Sequence, residues 1–178
     1  MSALSVTVPN IVSMIDSSGP RVLVGDLDLQ LPACRASSLP VAPVVAPFPG
    51  GWLVARHCAS SVMLARYSVA PIPDATLEVK TGALFSIAAV VDGAGRVALA
   101  SWADDDPTPT VLLFHLDDLS VAREPVSLPR LSKCSRAGFL AIEVDPATPG
   151  RFAVQHSQAI GHGAGCAAIT RLELCAPP

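Results

Sequence analysis

Lysine is nearly missing from this chain: its twelve cations are ten arginines together with Lys80 and Lys133. Charged residues of either sign make up only 15% of the sequence, and the net charge is −3. Scattered arginines on a slightly acidic chain leave no basic track for a phosphate backbone, so no nucleic-acid partner is expected. Aromatic residues are scarce too, at 4%. A core built of Ala, Val and Leu suits closely packed sheets better than a wide ligand cavity. The amino terminus, "MSALSVTVPNIVSMI", has no positively charged segment of the kind that opens a signal peptide. The longest uncharged run, Ala36 to Ala55, contains Pro40, Pro43, Pro47 and Pro49 followed by Gly50 and Gly51. That excludes a spanning helix, so no membrane insertion is expected and the location is read as intracellular or particle-associated.

Several catalytic signatures are missing as well. There is no C-x-x-C pair, no G-x-S-x-G elbow and no G-x-G-x-x-G phosphate loop. The five cysteines (34, 58, 134, 166 and 175) cannot all pair within one chain. Without a secretory signal they are expected to be reduced, buried thiols, with a Cys166–Cys175 disulfide as the alternative.

What is present is apolar and finely divided. Hydrophobic residues make up 51% of the 178, enough for one domain with a proper core, while 17 Pro and 12 Gly break the chain into short segments and leave no room for long helices. Apolar residues alternate with period two, and turn residues recur every ~8–12 positions, the pattern of short strands. One stretch, "VVDGAGRVALASW" (Val90 to Trp102), reads as strand, tight turn, strand. It recurs. "FLAIEVDPATPGRFAV" (Phe139 to Val154) and "NIVSMIDSSGPRVLV" (Asn10 to Val24) share its order of apolar strand, Asp, small residues, Gly and Arg; "PVVAPFPGGWLVARH" (Pro43 to His57) replaces the Asp with proline. In these turns the Asp is expected to bind turn amides and the Gly to take positive φ. In the best copy the strands are expected at Leu84–Val91, Arg96–Trp102, Val111–Leu116 and Ser120–Leu128.

Units repeated at this spacing resemble the β-propeller architecture, in which each blade needs its neighbours to cover both faces of its sheet. The resemblance implies a single all-β domain over 1–178, a small propeller of about four blades at 10–40, 41–81, 84–133 and 138–178. Residues 1–9 would supply the closing strand, because "ALSVTVPN" is similar to the outer-strand segment "DLSVAREPVSLP" (Asp118 to Pro129). The first unit is short: Arg21 to Pro40 hardly accommodates three strands. The same strands arranged as a β-sandwich or jelly roll are the alternative.

Three groups of residues invite a functional reading. His156, His162 and Cys166 in "HSQAIGHGAGC" are of zinc-ligand type, set among glycines, but they lack a fourth ligand and align with a plain inter-strand loop in the neighbouring unit. Asp104, Asp105 and Asp106 form an acidic loop that, with His162, offers a contact surface. Trp52 and Trp102 occupy comparable places in two units, which suits either packing or an aromatic platform. His115 reads as a structural histidine on a buried strand, and neighbours His57 and Cys58 should point to opposite faces. No cofactor is expected, zinc entering only with the metal reading. The favoured function is a non-enzymatic protein-interaction or structural module, an accessory or surface subunit of a larger assembly. The alternatives are a small metal-dependent hydrolase using His156, His162 and Cys166, a lectin-like sugar binder using the tryptophans, and a capsid-associated or particle-decorating protein.

Overall fold

A computed structural model of the chain describes the backbone of residues 10–35, 41–103, 108–128, 139–145, 148, 151–160 and 164–173, and their side chains apart from 85, 139, 156–160 and 164–173. All regular structure among these residues is β-strand, in four antiparallel sheets. The first contains β1 (Ile11–Asp16), β2 (Gly19–Val24) and the two-residue β3 (Leu27–Asp28). The second contains β4 (Val44–Phe48), β5 (Gly51–His57), β6 (Ser61–Tyr67) and β7 (Ala75–Lys80). The third contains β8 (Leu84–Val91), β9 (Arg96–Ala103), β10 (Thr110–His115) and β11 (Val121–Ser127). The fourth contains β12 (Phe139–Val144), β13 (Arg151–Ile160) and β14 (Ala164–Glu173). Each is a simple meander, so consecutive strands are hydrogen-bonded neighbours. The all-β expectation therefore holds, and the four strands expected between 84 and 128 lie within a residue or two of β8 to β11.

Side-chain alternation explains why the sheets stack. Along β9, Val97 and Leu99 join Phe114 of β10 against Leu53 and Ala55 of β5 and Leu64 of β6. The intervening Ala98, Ala100 and Trp102, with Leu113, turn the other way onto Leu140, Phe152 and Val154 of the fourth sheet. The third sheet is thus covered on both faces, and β9 reads as an almost unbroken apolar run for that reason. The second sheet repeats the arrangement, with Val54, Ala65 and Tyr67 facing Val22 and Val24 of β2. Gly51 makes this packing possible, because a Cβ there would collide with the Tyr67 carbonyl and sit 2.8 Å from the Phe48 ring. The outer strand β7 instead alternates exposed polar residues, and outer β11 exposes Arg123, Glu124 and Pro125, charges and a proline that discourage further strand pairing.

The first sheet is narrow, and a strap of chain makes up the difference. After β3, residues 29–35 cross the open face of the second sheet from end to end. Leu29 is buried in the layer between the two sheets. The Gln30 amide donates to the Pro71 carbonyl at 2.7 Å and Tyr67 Oη donates to the Gln30 carbonyl at 2.9 Å. Arg56 Nη1 donates to the Pro32 carbonyl at 2.6 Å, and the Ala59 amide donates to the Arg35 carbonyl at 2.9 Å. A disulfide between Cys34 and Cys58 fastens the far end. This corrects the expectation of reduced thiols for those two cysteines. The strap, which no periodicity in the sequence announces, brings Cys34 to the β5–β6 turn. The Cys175 of the alternative pairing lies outside the described residues, as does the 1–9 segment expected to close the ring.

Candidate functional site

The turns that join first to second strands carry the predicted chemistry, with one partner more. In the third sheet Asp92 Oδ1 accepts from the Ala94 and Arg96 amides at 2.9 and 2.8 Å. Its Oδ2 accepts from Arg96 Nε at 2.8 Å, leaving the Asp92 side chain fully enclosed yet satisfied. Gly95, at φ +74°, closes the turn in a conformation that suits glycine. The pairing recurs as Asp16–Arg21 at 3.2 Å and Asp145–Arg151 at 3.8 Å. Bonds from the Ser18 amide and then from Arg21 hold the Asp16 carboxyl below its usual range. The repeated Gly-Arg and Gly-Pro-Arg of the sequence supply these arginines. These clasps are structural, since their carboxylates are already engaged.

Meander geometry puts the β4–β5 and β6–β7 turns at one end of the second sheet. Arg66 at that end donates to the carbonyls of Leu116 and Asp117 in the β10–β11 turn, so the corresponding end of the third sheet lies beside it. On this surface the β6–β7 loop, "SVAPIPD" (Ser68 to Asp74), presents two large apolar side chains to solvent. Val69 is 83% exposed and Ile72 57% exposed. The loop is held at several points. Ser68 Oγ donates to Asp74 Oδ2 at 2.5 Å, the Asp74 amide donates to the Arg66 carbonyl at 2.8 Å, and the strap's Gln30 amide is bonded to the Pro71 carbonyl. Pro71 and Pro73 fix φ on either side of Ile72. Two apolar side chains on a braced loop are what a contact site needs: burial energy, with little conformational freedom to lose on binding. Sequence reasoning missed this loop because its residues read as an ordinary turn. The signal available was the pair of prolines flanking a large apolar residue.

The opposite end of the same two sheets holds a cleft of about 240 Å³, lined by Lys80, by Ser and Thr hydroxyls and by apolar Ala103, Leu112 and Pro125. Ser101 of β9 and Thr110 of β10, directly paired across the ladder, form one wall; Lys80 and Thr81 form the other. Lys80 is paired with Glu78, whose Oε1 also accepts from Ser61 Oγ at 2.7 Å. Those two bonds, Lys80 first, lower the Glu78 pKa. Among the described residues, none that lines this cleft is a histidine, a cysteine or a carboxylate. Asp104, Asp105 and Asp106 of the expected acidic loop lie outside the described residues.

The remaining candidates fall as follows. His156 is on β13 opposite Ala168 and Cys166 is on β14 opposite Gln158, so the stretch expected to be a loop is mostly strand, with only residues 161–163 between. Pairing along the ladder outweighs the local preference of Gly165 for a turn. His162 lies outside the described residues, and so do the side chains of His156 and Cys166. Among the described residues no group of three or more His, Cys, Asp or Glu is placed to hold a metal ion. The tryptophans do not form a platform. Trp102 is fully enclosed between the third and fourth sheets, whereas Trp52 packs between the first and second. Alternation sends the two indoles into different layers. His115 is exposed at the end of β10, not buried as its apolar neighbours suggest. His57 is buried, its Nε2 has no hydrogen-bond partner among the described residues, and desolvation lowers its pKa. No helix among the described residues is long and apolar enough to cross a membrane.

No protein-family model matches the chain, and no curated protein matches it in sequence. Among solved structures, an α-L-arabinofuranosidase from Clostridium thermocellum is similar over 79% of this chain and 50% of its own length, with a TM-score of 0.47 and 12% sequence identity. This chain thus spans about half of that enzyme, and neither the activity nor a site is carried over from it.

Proposed function

We propose that the protein is a non-enzymatic interaction module that docks a protein partner through the Val69–Pro73 loop, as an accessory subunit of a larger assembly. The observation that carries this reading is the exposure of Val69 and Ile72 on a loop braced at its base and at Pro71. A chain of mean hydropathy +0.49 with few charges suits a surface that is partly covered in use. The scaffold is read as a small propeller of four blades. In support, β1 lies against β4, β4 against β8 and β8 against β12, each the first strand of its sheet. Among the described residues the fourth sheet has three strands, and the N-terminal residues 1–9 are proposed to add its outer one beside β14.

The test is native isolation of the tagged full chain from its source, with wild type and a Val69→Asp, Ile72→Asp double variant in parallel. The wild type should retain a stoichiometric partner that the equally stable double variant loses. A wild type that purifies alone, or a double variant that keeps the partner, would contradict the proposal.

A further inference from the structure

The disulfide is not equally accessible from its two sides. Cys58, in the β5–β6 turn, is only 1% exposed, while Cys34 lies partly open on the strap between exposed Ala33 and Arg35. Thiol–disulfide exchange requires a thiolate to approach one sulfur in line with the bond it breaks, so access decides which sulfur is attacked. Of the two residues Cys34 is the more open to that approach, and the adjacent Arg35, itself exposed, favours an incoming anion.

The strap itself is held unevenly. Its first half is anchored in the core by Leu29, which is 3% exposed, and by the two bonds made by Gln30. Among the described residues its second half, from Pro32 to Arg35, is held by a bond from the Arg56 side chain to the Pro32 carbonyl and one from the Ala59 amide to the Arg35 carbonyl, besides the disulfide. Beneath it one nitrogen of the Arg56 guanidinium, Nε, is buried with no hydrogen-bond partner among the described residues.

We propose that Cys34 is a thiol-exchange site and that its disulfide is a reducible latch on the second half of the strap. A dithiol reductant attacks Cys34 Sγ, and Cys58 leaves as a thiolate and takes up a proton. The reductant's second thiol then displaces Cys34, which is also protonated, and the reductant ends as its own disulfide. Two electrons and two protons pass to the protein. Without the cross-link, Pro32 to Arg35 swings out about the Leu29–Gln30 anchor and bares the Arg56 guanidinium to solvent and to anionic ligands.

Amide-resolved hydrogen exchange on the full chain tests this, before and after reduction with dithiothreitol. The Ala59 amide, bonded to the Arg35 carbonyl, should exchange at least tenfold faster after reduction. The Gln30 amide and the β5–β6 ladder should be unchanged. Peptide mapping after brief treatment with a monothiol such as glutathione should place the mixed disulfide on Cys34. A Cys34→Ser variant should show the reduced pattern with no reductant present. Unchanged Ala59 exchange, loss of protection throughout β5 and β6, or an adduct on Cys58 would each overturn the proposal. The second of these would make the bond a staple of the whole fold.

Discussion

Tyr67 is the chain's one tyrosine, and its fully buried ring joins the second sheet to the strap. Desolvation pushes its phenol up to about 12, with nearby Arg56 acting weakly in the other direction. The folded state therefore holds the proton more tightly than the unfolded chain, whose phenol ionises near 10. Between those values the native state binds more protons, so stability must fall as pH rises from about 10 toward 12. Replacing Tyr67 with Phe should remove that slope while costing about 1 kcal/mol at neutral pH for the lost bond to the Gln30 carbonyl. Denaturant titrations at several alkaline pH values check both effects; equal slopes in the two proteins would contradict the assignment. At this scale turn chemistry was legible, because Asp92 and Gly95 act locally. The contacts of Tyr67 and Cys34 were not, because they depend on where a strap 20–40 residues away in sequence comes to lie.

Strands were the most legible elements. Period-two alternation bounded by turn residues located β8 to β11 closely, since strand and turn are set by neighbours in sequence. The reach of β13 and β14 was less legible: glycines at 161, 163 and 165 suggested a loop, but cross-strand pairing carries the ladder to Ile160 and Ala164. The two tryptophans show what periodicity alone leaves open. Equivalent places in two repeats put each indole into an inter-sheet layer, but at different depths. Trp102→Ala removes a completely enclosed side chain and should destabilise by ~3–5 kcal/mol. Trp52→Ala, at a half-buried position, should cost less than half as much. Chemical denaturation of both variants decides it; equal losses would contradict the packing described here.

For the whole molecule, stacking of sheets in chain order explains how a sequence with so few charges and aromatics makes a core: both faces of the middle sheets are buried by their neighbours. That logic was visible in the repeats, whereas the bracing of the β6–β7 loop was not, because it depends on the strap and on Asp74. Ring closure by the N-terminus predicts that deleting residues 1–9 lowers stability by about 3 kcal/mol, the scale of burying one or two Val or Leu side chains. A tail that leaves the unfolding midpoint unchanged would contradict closure. Docking through the loop is tested most directly by calorimetric titration of the recovered partner with three full-length proteins: wild type, the Val69→Asp, Ile72→Asp variant, and Val121→Asp, which alters an apolar residue on β11 about as exposed as Ile72. The account predicts at least a tenfold loss of affinity for the loop variant and none for Val121→Asp; equal affinity for all three would contradict it.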